Sequence, residues 1–421
     1  VPNPRSVLII GQNYAPETSG NAPYTTSLAS GLATLGWSVR VLTAQPYYPN
    51  WAVAPGFDHW ATSSEEHGVR VDRKRHFVPR RPNGLTRLLS ELSFGARSVL
   101  APWGKRDVVV FVSPSLFAVG VALVRAKLTH QPVVVWVQDL YSLGVSETGQ
   151  GGARIANMMT AMESAVLRRA DTIVTIHDRF RRNVIDVLGC RPDRVRVVRN
   201  WTHLPERAAS DRARVRGRMG WNDDELIVLH AGNMGVKQGL ENVVSAARLA
   251  GEQDKSVRFV LLGGGNQRDR LVALGRGVDR LEFVDPLPDE AFQEVLGAAD
   301  VLLVNEKPGV SGMSVPSKLT SYMGTGLPVL AATDSGSVTE EEVRLSGAGV
   351  TVPAGDAAAL VAAADELRSD PRKRVELGQS GLQFRQRHFD EPSAIGRYAH
   401  LLEEVVAGQR RPPAEDQGIS Q

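Results

Sequence analysis

Two segments of the chain carry glycine and lysine in an order that suits a diphosphate. The first is Gly232-Asn233-Met234-Gly235-Val236-Lys237-Gln238-Gly239. It lies between the apolar run Leu226–His230 and a helical pattern opening at Leu240. Glycines let main-chain N–H groups approach an anion, a helix start favours negative charge, and Lys237 adds a cation. The second segment runs from Gly312-Met313-Ser314 through Pro316 to Ser317-Lys318, where a helix over Ser317–Gly324 begins. A hydroxyl at a helix N-terminus beside Lys318 can bind phosphate oxygens. The Gly309–Gly312 stretch before it can approach a sugar closely. A third run, Gly263-Gly264-Gly265, follows an apolar strand and looks like a phosphate loop. Alone it is weak, and shaping the neighbouring backbone is the preferred reading.

The first half offers acids and bases at strand ends. Ser6–Ile10 runs into a loop holding Tyr14, Glu17, Gly20 and Asn21. That loop faces a ligand if the strand belongs to a βαβ unit. It lacks the spaced glycines of a dinucleotide fingerprint, which argues against hydride transfer. Pro132–Val137 delivers Gln138 and Asp139. The Asp139 carboxylate can accept a hydroxyl proton or steady a positive sugar; the alternative is a cap on the following turn. Thr172–Ile176 delivers His177-Asp178, read as a base or phosphate contact, or as an Asp178 N-cap beside a surface histidine.

The elements that must position these groups alternate strand and helix throughout. Strand-like runs also occur at Arg40–Thr43, Val69–Asp72, Asp107–Val112 and Val195–Arg199. The pattern restarts with Leu226–His230, Arg258–Leu262, Leu281–Val284, Val301–Val304, Pro328–Ala331 and Gly349–Val352. Alternation of this kind predicts α/β domains, each with a doubly wound parallel sheet. A boundary falls near residue 205. The expected organisation is an N-terminal domain over 1–204, a second domain over 205–390, a C-terminal helix over 391–407 and a disordered tail over 408–421.

Composition is that of an ordinary globular protein: 421 residues, 42% hydrophobic and 23% charged. Net charge is +3 but unevenly spread. Residues 1–200 hold 24 Lys and Arg against 14 Asp and Glu, and residues 201–421 hold 25 against 32. A basic first half suits an anionic partner. The single cysteine, Cys190, precludes an internal disulfide and suits a reducing cytoplasm. The start does not read as a signal peptide, and no run is apolar enough to span a membrane.

The wording of the first loop, Tyr14-Ala15-Pro16-Glu17-Thr18-Ser19-Gly20-Asn21, resembles bacterial glycosyltransferases that build surface polysaccharides, the colanic-acid, O-antigen and capsule subgroup of family 4-like enzymes. Gln138-Asp139-Leu140, Asn200-Trp201 and the Pro316-Ser317-Lys318 to Gly326-Leu327-Pro328 segment carry the same resemblance. It covers about residues 6 to 400. It implies a GT-B fold: two Rossmann-like domains facing across a cleft, with the last helix packing back on the first. It also implies that the second domain holds a nucleotide-sugar diphosphate, with Leu287 near the base. The wider superfamily has two glutamates separated by seven residues; those positions fall on Met313 and Ser321 here, so the sugar and ribose contacts need other groups. Glu306 is a substitute candidate.

The implied activity is transfer from a nucleotide-sugar, UDP-linked, to a lipid-diphosphate saccharide, with retention at the anomeric carbon. The implied catalytic set is Asp139, Lys237 and Lys318. The donor set adds Gly232, Asn233, Gly235, Leu287, Gly312, Met313, Ser314, Ser317 and Ser321. Tyr14, Glu17, Gly20, Asn21, Gln138 and His177 fall to the acceptor. No metal is expected, because the chain has no Asp-x-Asp pair and no His and Cys cluster with zinc spacing. A nucleotide-sugar 2-epimerase and a non-catalytic nucleotide-sugar scaffold are the alternatives. Nucleic acid is not expected, since no recognition motif accompanies the basic half. The basic run Arg73-Lys74-Arg75-His76 with Arg80-Arg81 precedes apolar residues at 85, 88, 89 and 92 on one helix face. This pairing suits an anionic membrane surface, reached from the cytoplasm; the alternative is an ordinary core-facing helix.

Overall fold

A computed structural model describes residues 4–18, 20–142, 152–201, 211–309 and 317–410. The chain forms two compact units: Val1–His203 with Glu391–Gln421, and Leu204–Asp390.

The first unit is built on eight strands. These are β1 (Ser6–Ile10), β2 (Ser38–Ala44), β3 (Ala61–Glu66), β4 (Val69–Lys74), β5 (Val108–Val112), β6 (Val133–Val137), β7 (Thr172–Thr175) and β8 (Val195–Val197). Their order is β3-β4-β2-β1-β5-β6-β7-β8. β5 and β6 are apolar without interruption and wholly buried, as strands covered on both faces must be. All neighbours are parallel except β3 and β4. β3, Ala-Thr-Ser-Ser-Glu-Glu, is a polar edge strand that apolar periodicity does not reveal. It pairs through a tight turn at His67 and Gly68, both at positive φ.

The second unit has β9 (Leu226–Ala231), β10 (Val257–Leu262), β11 (Leu281–Val284), β12 (Val301–Asn305), β13 (Val329–Thr333) and β14 (Gly349–Pro353). Their order is β11-β10-β9-β12-β13-β14, all parallel. In both sheets the chain changes direction once, between β1 and β5 and between β9 and β12. The crevice outside such a switch point is where doubly wound sheets bind ligands. The loops after β1 and β9 start there.

Two helices escape the periodic reading, Val338–Ser346 and Pro371–His388. The second buries only Gly378, Gly381 and Arg385, so it has no apolar stripe to read. Its Gly378 lies where a Cβ would sit 1.9 Å from the Gly326 carbonyl oxygen.

The last helix runs Glu391–Arg410, so Gly408, Gln409 and Arg410 continue it rather than begin a disordered tail; residues 411–421 lie outside the described ones. It belongs to the first unit. Ile395 fills the space beside Gly31, where an added Cβ would meet its Cδ1 at 2.4 Å. Tyr398 packs 5.1 Å from Trp136, which stacks on Trp201. Trp201 Nε1 donates to Ser27 Oγ at 2.8 Å, and Ser27 donates to Glu391 at 2.6 Å.

Candidate functional site

In the second unit, the loop after β9 is held by the loop after β10. Gly232 N donates to Leu262 O at 2.8 Å, and Met234 N to Gly264 O at 2.7 Å. A Cβ on Gly263 would lie 2.2 Å from Gly232 O, and one on Gly265 would lie 2.5 Å from Met234 O. The glycine run therefore serves close approach of two backbones. Met234 is buried in the core and anchors the loop from below. Asn233 and Lys237 remain exposed.

The helix does not open directly on this loop. A 3-10 turn, Val236–Gln238, with Gly239 at positive φ precedes Glu241–Glu252. The amides of Asn242 and Val243 donate to the Gly239 and Leu240 carbonyls. The helix start expected at Leu240 is present, with Leu240 as its N-cap, and the 3-10 turn stands between it and the glycine loop. Gly235 N donates to Gln238 Oε1 at 3.0 Å. Asn305, at the end of β12, donates to Gln238 O at 2.7 Å and Gly239 O at 3.0 Å. Lys307 N binds Lys237 O at 2.8 Å. These contacts fix the main chain of Lys237 while its side chain points outward.

The helix Ser317–Met323 meets the end of β9 at two points one turn apart. Lys318 Nζ lies 2.8 Å from His230 Nε2. Tyr322 OH accepts from Ala231 N at 2.9 Å and donates to Ala231 O at 3.3 Å. Lys318 also packs on Gly232, whose Cβ position is 3.2 Å from Lys318 Cε. Burial pushes the Lys318 ammonium down to about 7. Burial first, and the Lys318 charge second, hold the His230 imidazole well below its ordinary value. His230, Tyr322 and Asn305 were not singled out from sequence. A histidine closing an apolar strand just before the glycine loop was the available signal.

Ser321 and Leu287 are half-buried, and Leu287 packs against the core. Asp289 is the first residue of Asp289–Ala298 and makes no side-chain cap; Pro288 holds that position. Gly312, Met313 and Ser314 lie outside the described residues, as does the Ser317 side chain. Glu306 is engaged elsewhere: its two carboxylate oxygens accept from the hydroxyls of Thr333 and Thr339. It ties β12 to the helix Val338–Ser346.

In the first unit, several expected acceptor residues serve the fold instead. Glu17 Oε1 accepts the Tyr47 and Tyr48 amides at 2.7 and 2.8 Å, and Oε2 accepts from Asn13 at 2.8 Å. Its carboxylate is the tie between two loops, and burial raises its pKa. Gln138 and Asn200 form a reciprocal amide pair at 3.2 and 2.7 Å. His177 is fully buried and is itself the N-cap of Asp178–Asp186, Nδ1 accepting from Arg179 N at 3.1 Å. It is neither an accessible base nor a surface neighbour of an Asp178 cap. Tyr14 is buried, which pushes its phenol up to about 12. Asn21 donates to Ser113 O at 3.2 Å, across the switch point. Gly20 is exposed at positive φ beside Tyr48.

Asp139 is half-buried and accepts from the adjacent Leu140 N at 2.9 Å, one residue short of a capping contact. The next two residues are gripped from below. Tyr141 N and Ser142 N donate to Glu163 at 2.9 and 3.0 Å, and the Tyr141 hydroxyl donates to Glu91. Burial raises Glu91 to about 7.

The basic run is less exposed than its composition suggests. Arg73 is buried, pairs with Glu66 at 2.7 Å and donates to Ala15 O at 2.7 Å. His76 is buried against Gln12 at 3.2 Å. Arg75, Arg80, Arg81 and Arg87 stay exposed. The helix Gly84–Leu100 then inverts the usual pattern. It buries Ser90, Glu91, Phe94, Gly95 and Ser98. Leu85, Leu89 and Leu92 are 67%, 47% and 37% exposed, so the core-facing reading of these three fails. Among the described residues no helix is long and apolar enough to cross a membrane, and no group of His, Cys, Asp or Glu is arranged to hold a metal ion.

Comparison with known proteins agrees with this architecture. A family model for a glycosyl transferase 4-like domain matches residues 19–201, and one for group 1 glycosyl transferases matches residues 211–384. A putative colanic acid biosynthesis glycosyl transferase of Escherichia coli K12, WcaI, is 32% identical over 332 residues, 76% of this chain and 81% of the relative. A sucrose-phosphate synthase from Thermosynechococcus elongatus matches with a TM-score of 0.74 at 20% identity, over 96% of this chain and 100% of the other. Anabaena HepE in complex with UDP matches with a TM-score of 0.70 at 16% identity, over 95% and 100%. The chain, with its two doubly wound units and matches over both, belongs to the family 4-like glycosyltransferases of the GT-B fold.

Proposed function

We propose that this enzyme moves a sugar from a UDP-linked donor to a lipid-diphosphate saccharide during surface polysaccharide biosynthesis. One observation carries the donor half: Lys318 packs on Gly232 at the β9–β12 switch point. A partly buried cation against bare main chain suits negative charge developing on a leaving diphosphate. In the transfer, the bond from the anomeric carbon to the diphosphate oxygen breaks. The acceptor hydroxyl oxygen bonds to that carbon and gives its proton to the departing diphosphate oxygen. Lys237 and Lys318 offset the diphosphate charge, so the reading requires no divalent ion. Retention is the proposed stereochemical outcome; were the product inverted, Asp139 would be the general base. The colanic acid name of the Escherichia coli relative and the UDP complex of HepE support this assignment.

A thermal-shift panel tests it. Millimolar UDP, with or without magnesium, is expected to raise the melting temperature more than GDP, ADP or NAD does. Ligand at a hundredfold excess over its Kd stabilises by about 2.7 kcal/mol. No shift with any nucleotide would sink the donor reading.

The acceptor half is supported by the inverted helix. The exposed face of Leu85, Leu89 and Leu92 lies in sequence beside Arg80, Arg81 and Arg87. Arg97 stacks 4.2 Å over Trp60, itself 66% exposed. Apolar side chains flanked by arginines fit the interface of an anionic bilayer on the cytoplasmic side. The protein is expected to co-sediment with phosphatidylglycerol vesicles and not with phosphatidylcholine ones. Leu89→Glu should weaken that binding by about tenfold. Equal partition of wild type and variant would remove this surface from the assignment.

A further inference from the structure

We propose that His230 is a positioning residue for donor binding: its buried imidazole holds Lys318 Nζ beside Gly232, ready for the donor diphosphate. This rests on the donor reading above.

The geometry is specific. His230 sits on β9, paired in register with Leu261, and is almost wholly buried. Its Nε2 lies 2.8 Å from Lys318 Nζ. Lysine has a flexible four-carbon stem and three donors. One donor spent on a rigid imidazole fixes the head and leaves two for phosphate oxygens. Tyr322, one turn on, fixes the backbone from which the stem grows.

The residue type matters as much as the distance. A carboxylate in this place would neutralise Lys318 and compete with the diphosphate. A neutral imidazole accepts one hydrogen bond and leaves the positive charge uncompensated. Burial and the nearby ammonium keep His230 neutral, against the opposing influence of the Asn233 and Leu303 backbones. The same burial brings Lys318 to about 7, so an arriving diphosphate favours its charged form. Three other polar groups of the surrounding elements are engaged or exposed elsewhere. On its own helix, the Tyr322 hydroxyl is bound to Ala231; on the glycine loop, Lys237 points outward; after β12, the Glu306 carboxylate is held by Thr333 and Thr339.

A merely structural histidine predicts that the folded variant binds UDP as wild type does. Replacing one partner of a buried polar pair leaves the other unsatisfied and lowers stability, whatever the role of the histidine. His230→Leu should therefore melt below wild type, and its folded form should bind UDP about tenfold more weakly. His230→Gln places an amide oxygen at the reach of Nε2 and should bind UDP within about threefold of wild type. His230→Met, unbranched, serves in place of the leucine variant if that one does not fold. UDP affinity is read by titration calorimetry from pH 6 to 9. Wild-type affinity should fall above neutral pH, and the leucine variant should alter that profile. Apolar variants that fold and bind UDP like wild type overturn the inference. If Lys318→Ala also leaves UDP binding intact, the donor reading fails with it. If Lys318→Ala weakens binding and the apolar variants do not, only the role of His230 fails.

Discussion

Lys318→Ala is expected to lower turnover by a factor of about 10²–10³ while the melting temperature at neutral pH holds or rises. The first effect follows from the loss of a cation aimed at a leaving diphosphate. The second follows from proton linkage. The folded-state pKa of Lys318 lies near 7, below its ordinary value of 10.5. Between those values the unfolded chain binds the proton that the folded chain gives up. The lysine therefore destabilises the fold, most strongly below about pH 7, and ceases to do so above about pH 10.5. The stability gained by alanine should fade over that same window. Steady-state kinetics and thermal melts across pH measure both effects. A folded variant with near-normal turnover would take Lys318 out of the site.

Gly263→Ala is expected to cost about 2–6 kcal/mol and to abolish measurable UDP binding. Gly263 has φ +129°, and its Cβ would lie 2.2 Å from the Gly232 carbonyl oxygen. Both backbones are in hydrogen-bonded loops at strand ends, so relief requires the loops to separate. That separation would carry Gly232 away from Lys318. Gly264→Ala is the control. Its Cβ would meet only Pro286 Cγ at 3.4 Å, an ordinary contact, and φ is not in the left-handed region. A midpoint of urea unfolding equal to wild type for Gly263→Ala would show that the two loops do not depend on this contact.

The architecture was largely legible in the residues. Apolar runs of four to seven residues, alternating with helical periods, mark buried parallel strands such as Val108–Val112 and Val301–Asn305. What periodicity missed was polar: β3, at an exposed edge, and Pro371–His388, which packs through glycines. The glycine run at 263–265 was read as backbone-shaping, and its contacts with Gly232 and Met234 are of that kind.

Polar side chains were harder to assign from sequence. Glu17, Gln138, His177 and Glu306 each stood near a strand end and each could have faced a ligand. Their hydrogen bonds go to Tyr47, Asn200, Arg179 and Thr333 instead. A buried polar group must be satisfied, and its partner can come from any segment the fold brings near. The helix Gly84–Leu100 shows the same limit for apolar groups. Its leucine face was visible, but whether that face turned inward depended on Glu91 bonding Phe117 N and Tyr141.

The sequence by itself determined the βαβ alternation, the placement of glycine and lysine after strands, and the family likeness. These are local properties, carried by residue type and spacing along a few turns. Tertiary structure alone decided which polar groups are spent and which remain available. Lys318 and His230 are 88 residues apart in the chain and meet only because β9 neighbours β12 in the sheet. Strand order brings them together, and burial then sets the charge that each carries.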